Sequence, residues 1–271
     1  MIREVRKLYR MTKNHEKNEH LVVKSNQLIQ KSKINLSLYE QRIVNFMISK
    51  IMADDIDFKF IELDYANFCG LCEIKNTNRA YIKKIIKDLA DKSWWWFDGK
   101  KDILIRWIGE AELTSDIIRL KFHPKMEQFL LNLKEYGSYT QSELLYYLSF
   151  KNKYTPILYD YCRSFVNLTF RNKVDSVEVL LTIDELRAKL GLSERENCHK
   201  YQYFKDLRVY VIEPTLKEIN DLTDISVKYE LIKKSRKVDK IRLIIQVRDV
   251  KKRLKMIEDR RVNLENDKAN I

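Results

Sequence analysis

The side chains best placed to do chemistry form two clusters, and both suit hydrogen bonding and charge pairing rather than bond breaking. Along a helix begun near Lys200, a 100° step per residue puts Phe204, Leu207 and Val211 on one face and His199, Gln202, Lys205 and Asp206 on the other. Glutamine can pair with adenine edges and lysine with guanine edges in a DNA major groove. Lys200 and Arg208 flank that face, within reach of phosphates, and Arg195 and Tyr203 complete the candidate DNA-binding set. The second cluster is the run Lys233, Lys234, Ser235, Arg236, Lys237, Val238, Asp239, Lys240, whose five basic residues in an expected hairpin loop suit phosphate contact. A solvated amphipathic helix face and a basic surface turn are the competing readings. Earlier in the chain, Asn76, Arg79, Lys83 and Lys87 share one helix face and form a candidate secondary DNA contact.

Catalytic arrangements fare worse. Cys69-Gly70-Leu71-Cys72 is a C-x-x-C, yet a zinc site needs two further ligands at matching spacing, and Cys198-His199 make a poor second pair. A DNA-nicking enzyme needs a metal-binding pair of close histidines and a nucleophilic tyrosine. His15, His20, His123 and His199 form no such pair, and Tyr146, Tyr147, Tyr159 and Tyr161 sit at the helical spacing of core residues. Gly70, Gly99, Gly109, Gly137 and Gly191 never show phosphate-loop spacing. The acidic pairs Asp54-Asp55 and Glu194-x-Glu196 read as solvated turns and caps. No enzymatic activity, cofactor or metal is therefore expected.

Composition narrows the partners. The 271 residues carry 52 Lys and Arg against 39 Asp and Glu, a formal charge of +13. Residues 34–136 balance, so the excess lies in the two termini and the second half. Such an excess suits a polyanion through counterion release. There is no apolar run long enough to span a bilayer, the first residues lack a secretory core, and four cysteines are too few for a disulfide framework. A cytoplasmic protein without membrane contact is expected.

The elements that must position these residues follow one order twice. A strand at 58–63 leads to a short helix capped by Asp64, a stop at Gly70-Leu71, a polar turn, a long helix with Ile82, Ile85, Ile86 and Leu89 inward, and a hairpin at 94–108. The second half repeats this: a strand at 179–182, a helix capped by Asp184, a stop at Gly191-Leu192, a polar turn, a long helix over 200–220, and a hairpin at 225–247. Pro214 should kink or restart that long helix. The order implies an α+β fold of two tandem winged-helix domains, each a helix-turn-helix plus a β-hairpin wing, related by internal duplication. The expected division is a basic N-terminal segment at 1–20, winged helices at 21–136 and 137–250, and a basic tail at 251–271. Trp94, Trp95, Trp96 and Trp107 are too apolar for a phosphate-binding wing and suggest a core or a dimer interface.

Val23-Lys24-Ser25-Asn26-Gln27-Leu28 and Leu36-Ser37-Leu38-Tyr39-Glu40-Gln41-Arg42 resemble the opening of theta-type plasmid replication initiators. Phe204-Lys205-Asp206-Leu207, Val211-Ile212-Glu213-Pro214 and Glu218-Ile219-Asn220 resemble that family's recognition helix. Thr223-Asp224-Ile225 and residues 233–238 look like its strand and wing. The resemblance covers roughly residues 20–248 and implies a C-terminal winged helix that reads repeated origin sites (iterons) in double-stranded DNA. It also implies an N-terminal one for dimerisation, a monomer–dimer equilibrium, recruitment of host initiator and helicase, and repression of the protein's own promoter. A winged-helix transcriptional repressor and a DNA-nicking enzyme are the alternatives.

Overall fold

The computed structural model describes residues 21–32, 35–74, 78–133, 137–193 and 199–248. The expected segments at 1–20 and 251–271, the candidates Asn76 and Arg195, and Cys198 lie outside the described residues. The chain divides into two compact units, one running to Ser164 and including Arg187–Cys198, the other formed by Phe165–Leu186 and the chain from His199.

In the first unit, β1 (Leu21–Ser25) leads into α1 (Asn26–Lys31), whose N-terminus the Ser25 hydroxyl caps by accepting from Leu28 N–H. Helix α2 (Leu38–Ile48) begins with a capping box between Ser37 and Glu40. Then come β2 (Ile61–Asp64), α3 (Tyr65–Cys72) and α4 (Arg79–Asp91), a helix-turn-helix whose second helix buries Ile82, Ile85, Ile86 and Leu89. Four strands follow: β3 (Ser93–Phe97), β4 (Asp102–Arg106), β5 (Ile108–Leu113) and β6 (Ile117–Phe122). Sheet order is β2-β6-β5, with β3-β4 a separate hairpin. After α5 (Glu127–Leu130), β7 (Tyr139–Glu143) pairs antiparallel with β1, Leu21 opposite Glu143. Helices α6 (Leu144–Ser149) and α7 (Thr155–Arg163) complete the unit, packing Tyr146, Tyr147, Phe150 and Tyr159 edge to face. The tyrosines read as core residues are buried.

Three expectations change here. The boundary expected at 136/137 falls inside the first unit, because β7 completes the sheet that β1 begins. Gly70 does not stop its helix. Helix α3 continues to Cys72, and the left-handed residue is Glu73 (φ 53). Its carboxylate meets the almost fully buried Arg42 at 3.0 Å and Lys151 at 2.5 Å, which offsets that conformation. The wing of this module is β5-β6, joined to β2, and not the tryptophan-bearing β3-β4 hairpin, which is inserted before it.

The second unit runs α8 (Asn167–Asn172), β8 (Ser176–Thr182) and the start of α9 (Ile183–Lys189), then α10 (Phe204–Leu207), a π-helical segment (Arg208–Ile212), α11 (Glu213–Leu222), β9 (Ile225–Lys234) and β10 (Lys237–Val247). Sheet order is β8-β10-β9. Both sheets thus set the last strand between the first and the middle one, the shared plan expected of a duplication. Helix α9 is capped reciprocally by Thr182 and Glu185, not by Asp184. It ends at Gly191 (φ 70), where Leu192 N–H returns to Arg187 O as the sequence led one to expect.

Candidate nucleic-acid interface

The recognition helix of the second unit starts later than its sequence suggests. Tyr201 is left-handed (φ 53) and Tyr203 is the N-cap, so the helix begins at Phe204. His199 and Gln202 therefore precede it in a turn and bond each other at 3.0 Å between His199 Nδ1 and Gln202 Nε2. The single helical face expected for His199, Gln202, Lys205 and Asp206 does not exist; only the last two lie on the helix. Lys200 and Tyr203 also sit in the turn, with Lys200 exposed and Tyr203 76% exposed.

Leu207, Val211, Ile212, Leu216 and Ile219 face the core, while Lys205, Val209, Glu213 and Lys217 are exposed at four-residue spacing. Pro214 shapes the middle of this helix. Its ring has no N–H and would crowd the Tyr210 carbonyl in a regular α-turn. The backbone answers with a wider turn in which Glu213 N–H reaches Arg208 O, five residues back. That spacing stacks side chains five apart, and Arg208 Nε lies 3.5 Å from Glu213 Oε1, to which Tyr229 also donates at 3.1 Å. Charge differs along the helix. Its first half offers Lys205 and Arg208 with Asp206 between them; its second half offers Glu213, Glu218 and Asp221, with Lys217 tied to Asp221 at 3.1 Å. An anionic ligand would favour the N-terminal half.

The wing is longer than expected. Lys233, Lys234, Lys237 and Lys240 belong to the strands, and the turn is only Ser235 (φ 58) and Arg236. Strand β8 pairs with β10 no further than Lys240 opposite Thr182, so residues 233–239 project as a two-stranded tip by about 10 Å. Lys233, Lys234, Arg236 and Lys237 are exposed there, with Lys234 directly opposite Lys237. Like charges so placed repel, and a chain of phosphates relieves them. Lys240 differs: it is half-buried at the base of the wing, and its charge helps hold the Glu185 carboxyl below its usual range, behind the Thr182 hydrogen bonds.

In the first unit, Arg79, Lys83 and Lys87 are all exposed on α4, but Arg79 donates to Leu113 O at 2.8 Å and Lys87 pairs with Asp91 at 2.9 Å. The β5-β6 wing carries Glu110, Glu112 and Asp116 in the open, a poor surface for phosphates. The tryptophans separate by strand alternation. Trp94, Trp96 and Trp107 are buried, Trp94 against Trp107 (4.9 Å) and Trp96 against Phe129 (4.8 Å). Those three belong to the core of their own unit and offer no dimer surface. Trp95 points outward at 68% exposure, opposite Leu104 and beside Phe97.

Cys69, Cys72 and Cys162 are buried thiols, and burial pushes the Cys162 thiol up to about 12 and raises that of Cys72 as well. Among the described residues, no three His, Cys, Asp or Glu side chains are grouped to hold a metal ion, and no helix is long and apolar enough to cross a membrane. Sequence reading passes over Tyr210, which is 62% exposed. The available signal was Pro214, four residues on.

Two family models match the chain: "Initiator Replication protein, WH1" over residues 21–163 and "Initiator Rep protein, WH2" over residues 182–245. No curated protein matches it. Among solved structures, a crystal structure of domain 2 and domain 3 of RctB is similar at 14% identity, over 78% of this chain and 80% of that one, with a TM-score of 0.41.

Proposed function

From the premise that the chain belongs to the Initiator Replication protein family and carries both of its winged-helix modules, we propose that it starts plasmid replication by binding repeated origin sequences. In this reading the second winged helix reads the repeats. Lys205 reaches a base edge and Arg208 a phosphate, with Lys200, Gln202, His199 and Tyr203 in the turn that enters the groove beside them. Lys233, Lys234, Arg236 and Lys237 hold the adjacent backbone. Arg195 belongs to the same set by sequence. The observation that carries the proposal is the projecting wing tip, whose exposed like charges lie on the hairpin that follows a helix whose first half carries Lys205 and Arg208.

The first winged helix serves self-association, through the outer face of β3-β4 with Trp95, Phe97 and Leu104, and a secondary DNA contact through Lys83, with Arg79 and Lys87 beside it and Asn76 in the same set by sequence. Dimers and monomers exchange, the dimer acting at the protein's own promoter. The protein opens the origin in the cytoplasm by binding energy, without covalent chemistry, and engages the host initiator and helicase there.

Binding to origin repeats against scrambled duplex, across a salt series, tests the central claim. A specific excess of about 10³ or more that persists as salt rises is expected. Equal, steeply salt-dependent binding to both would reduce the protein to a basic surface. A nick or covalent adduct on supercoiled origin DNA with Mg²⁺ would refute the non-enzymatic reading.

A further inference from the structure

The surface of the second unit carries an unexplained aromatic feature. Tyr210 stands 62% exposed in the middle of a helix whose neighbours Val211 and Ile212 are fully buried. A surface tyrosine there is held by geometry rather than by packing into the core. The π-turn over Arg208–Ile212 accommodates one residue more than an α-turn, so Leu207 before it and Ile212 at its end both keep their inward direction while Val209 and Tyr210 are pushed out. Across the entering turn, the left-handed Tyr201 brings its ring to 6.2 Å from that of Tyr210, at 30° between the planes. The two rings form one apolar platform spanning the turn and the helix. It stands at the middle of the helix, after Lys205, Asp206 and Arg208 and before Glu213.

A hydrophobic platform on the element that enters a major groove, with Lys205 and Arg208 as well as Asp206 and Glu213 near it along the helix, matches one chemical feature of that groove. Of the base pairs, only those with thymine present an apolar group there, the 5-methyl. We propose that the Tyr210 ring, supported by Tyr201, is a specificity-determining contact that packs against a thymine methyl group in the site read by the second winged helix. The inference rests on the reading of that module as sequence-reading, and it adds apolar readout to the polar readout assigned to Lys205. Pro214 acts as a positioning residue, since the wider turn it imposes sets the Tyr210 direction.

The test begins with a random-sequence duplex pool from which the full chain selects its site. Each thymine of the selected duplex is then replaced in turn by deoxyuridine, which removes only the methyl group. For the unaltered protein, one replacement should weaken binding about fourfold, the worth of one buried methyl group. Tyr210→Ala should weaken binding to the thymine duplex about 3- to 10-fold and lose all sensitivity to that replacement. Tyr210→Phe should retain it, because the hydroxyl is not the contact. The side chain is exposed, so the Ala variant should keep its unfolding temperature. Four outcomes overturn the proposal: full affinity of Tyr210→Ala, an equal loss on scrambled duplex, continued sensitivity to the methyl group in the variant, or sensitivity at no thymine in the unaltered protein. If the unaltered protein selects no sequence at all, sequence reading by the module itself has failed, a result distinguishable from the others.

Discussion

Neutralising the wing tip gives the sharpest test of how the second module holds DNA. Lys234 and Lys237 lie directly opposite each other, Arg236 occupies the turn between them, and all three are exposed. Each phosphate contact made by a cation releases counterions and contributes about 0.9 to the slope of log K against log salt. If all three touch phosphates, Lys234→Gln with Arg236→Gln and Lys237→Gln reduces the slope by about 2.7. Referred to 1 M salt, where that contribution vanishes, the loss at 0.15 M is about 170-fold. It should be the same for origin repeats and for scrambled duplex, since phosphates carry no sequence. Stability should move the other way. Removing a like-charge pair from opposed strand positions relieves repulsion, so the unfolding temperature should hold or rise. Fluorescence anisotropy titrations at several salt concentrations, paired with thermal unfolding, read both quantities. An unchanged slope would remove the wing from the interface. A loss confined to the origin repeats would mean that the wing reads bases.

Three further perturbations test separate parts of the reasoning. Glu213→Gln releases Arg208 from its exposed carboxylate partner, and DNA affinity at low salt should rise roughly two- to fivefold; a fall would show that Glu213 positions Arg208 for its contact. Trp94→Ala should cost about 3–5 kcal/mol by denaturant unfolding, because it empties a core site, whereas Trp95→Ala should leave stability nearly unchanged and shift the sedimentation profile from dimer towards monomer; the opposite pattern would exchange their assigned roles. Burial pushes the Glu73 carboxyl upward, but Lys151 and Arg42 outweigh it and leave its pKa below the ordinary value. A carboxyl held lower in the folded state than in the unfolded contributes stability above the unfolded value and loses it as pH falls through the folded one. Glu73→Gln should therefore flatten part of the acid limb of stability against pH. It should also cost on the order of 3 kcal/mol at neutral pH by stranding the buried Arg42; an unaltered acid limb would refute the coupling.

The order of elements was legible because it rests on strong local signals. Apolar residues at helical spacing fixed α4, Asp64 fixed the start of α3, and Gly191 fixed the end of α9. The errors came where tertiary context overrode such signals. Gly70 looked like a helix stop, yet Arg42 and Lys151 hold Glu73 in the left-handed conformation three residues later. The tryptophan hairpin looked like the wing because it follows the long helix directly. Nothing local announces that it is an insertion and that the sheet resumes at Ile108. Alternation along Trp94-Trp95-Trp96-Phe97 was available in the sequence and would have separated core from surface once the stretch was read as a strand. The π-turn was only half legible. Pro214 signalled a break, but a kink, a restart and an extra residue all satisfy that signal, and only the core positions of Leu207 and Ile212 select among them.

One plan of strands and helices has been given two surfaces, and the difference lies in residues the fold leaves exposed. In the first module the wing exposes Glu110, Glu112 and Asp116, two of the three proposed helix contacts among the described residues are already engaged within the protein, and an inserted hairpin presents Trp95, Phe97 and Leu104. In the second, the wing is extended past its sheet and loaded with lysine and arginine, and no hairpin is inserted before it. Burying apolar surface favours a protein partner and exposing unpaired cations favours a polyanion. On the proposed reading, the apolar hairpin of the first module and the basic wing of the second would separate self-association from DNA reading. Each can then be altered by substitutions that leave the other's core, and the shared strand order, untouched.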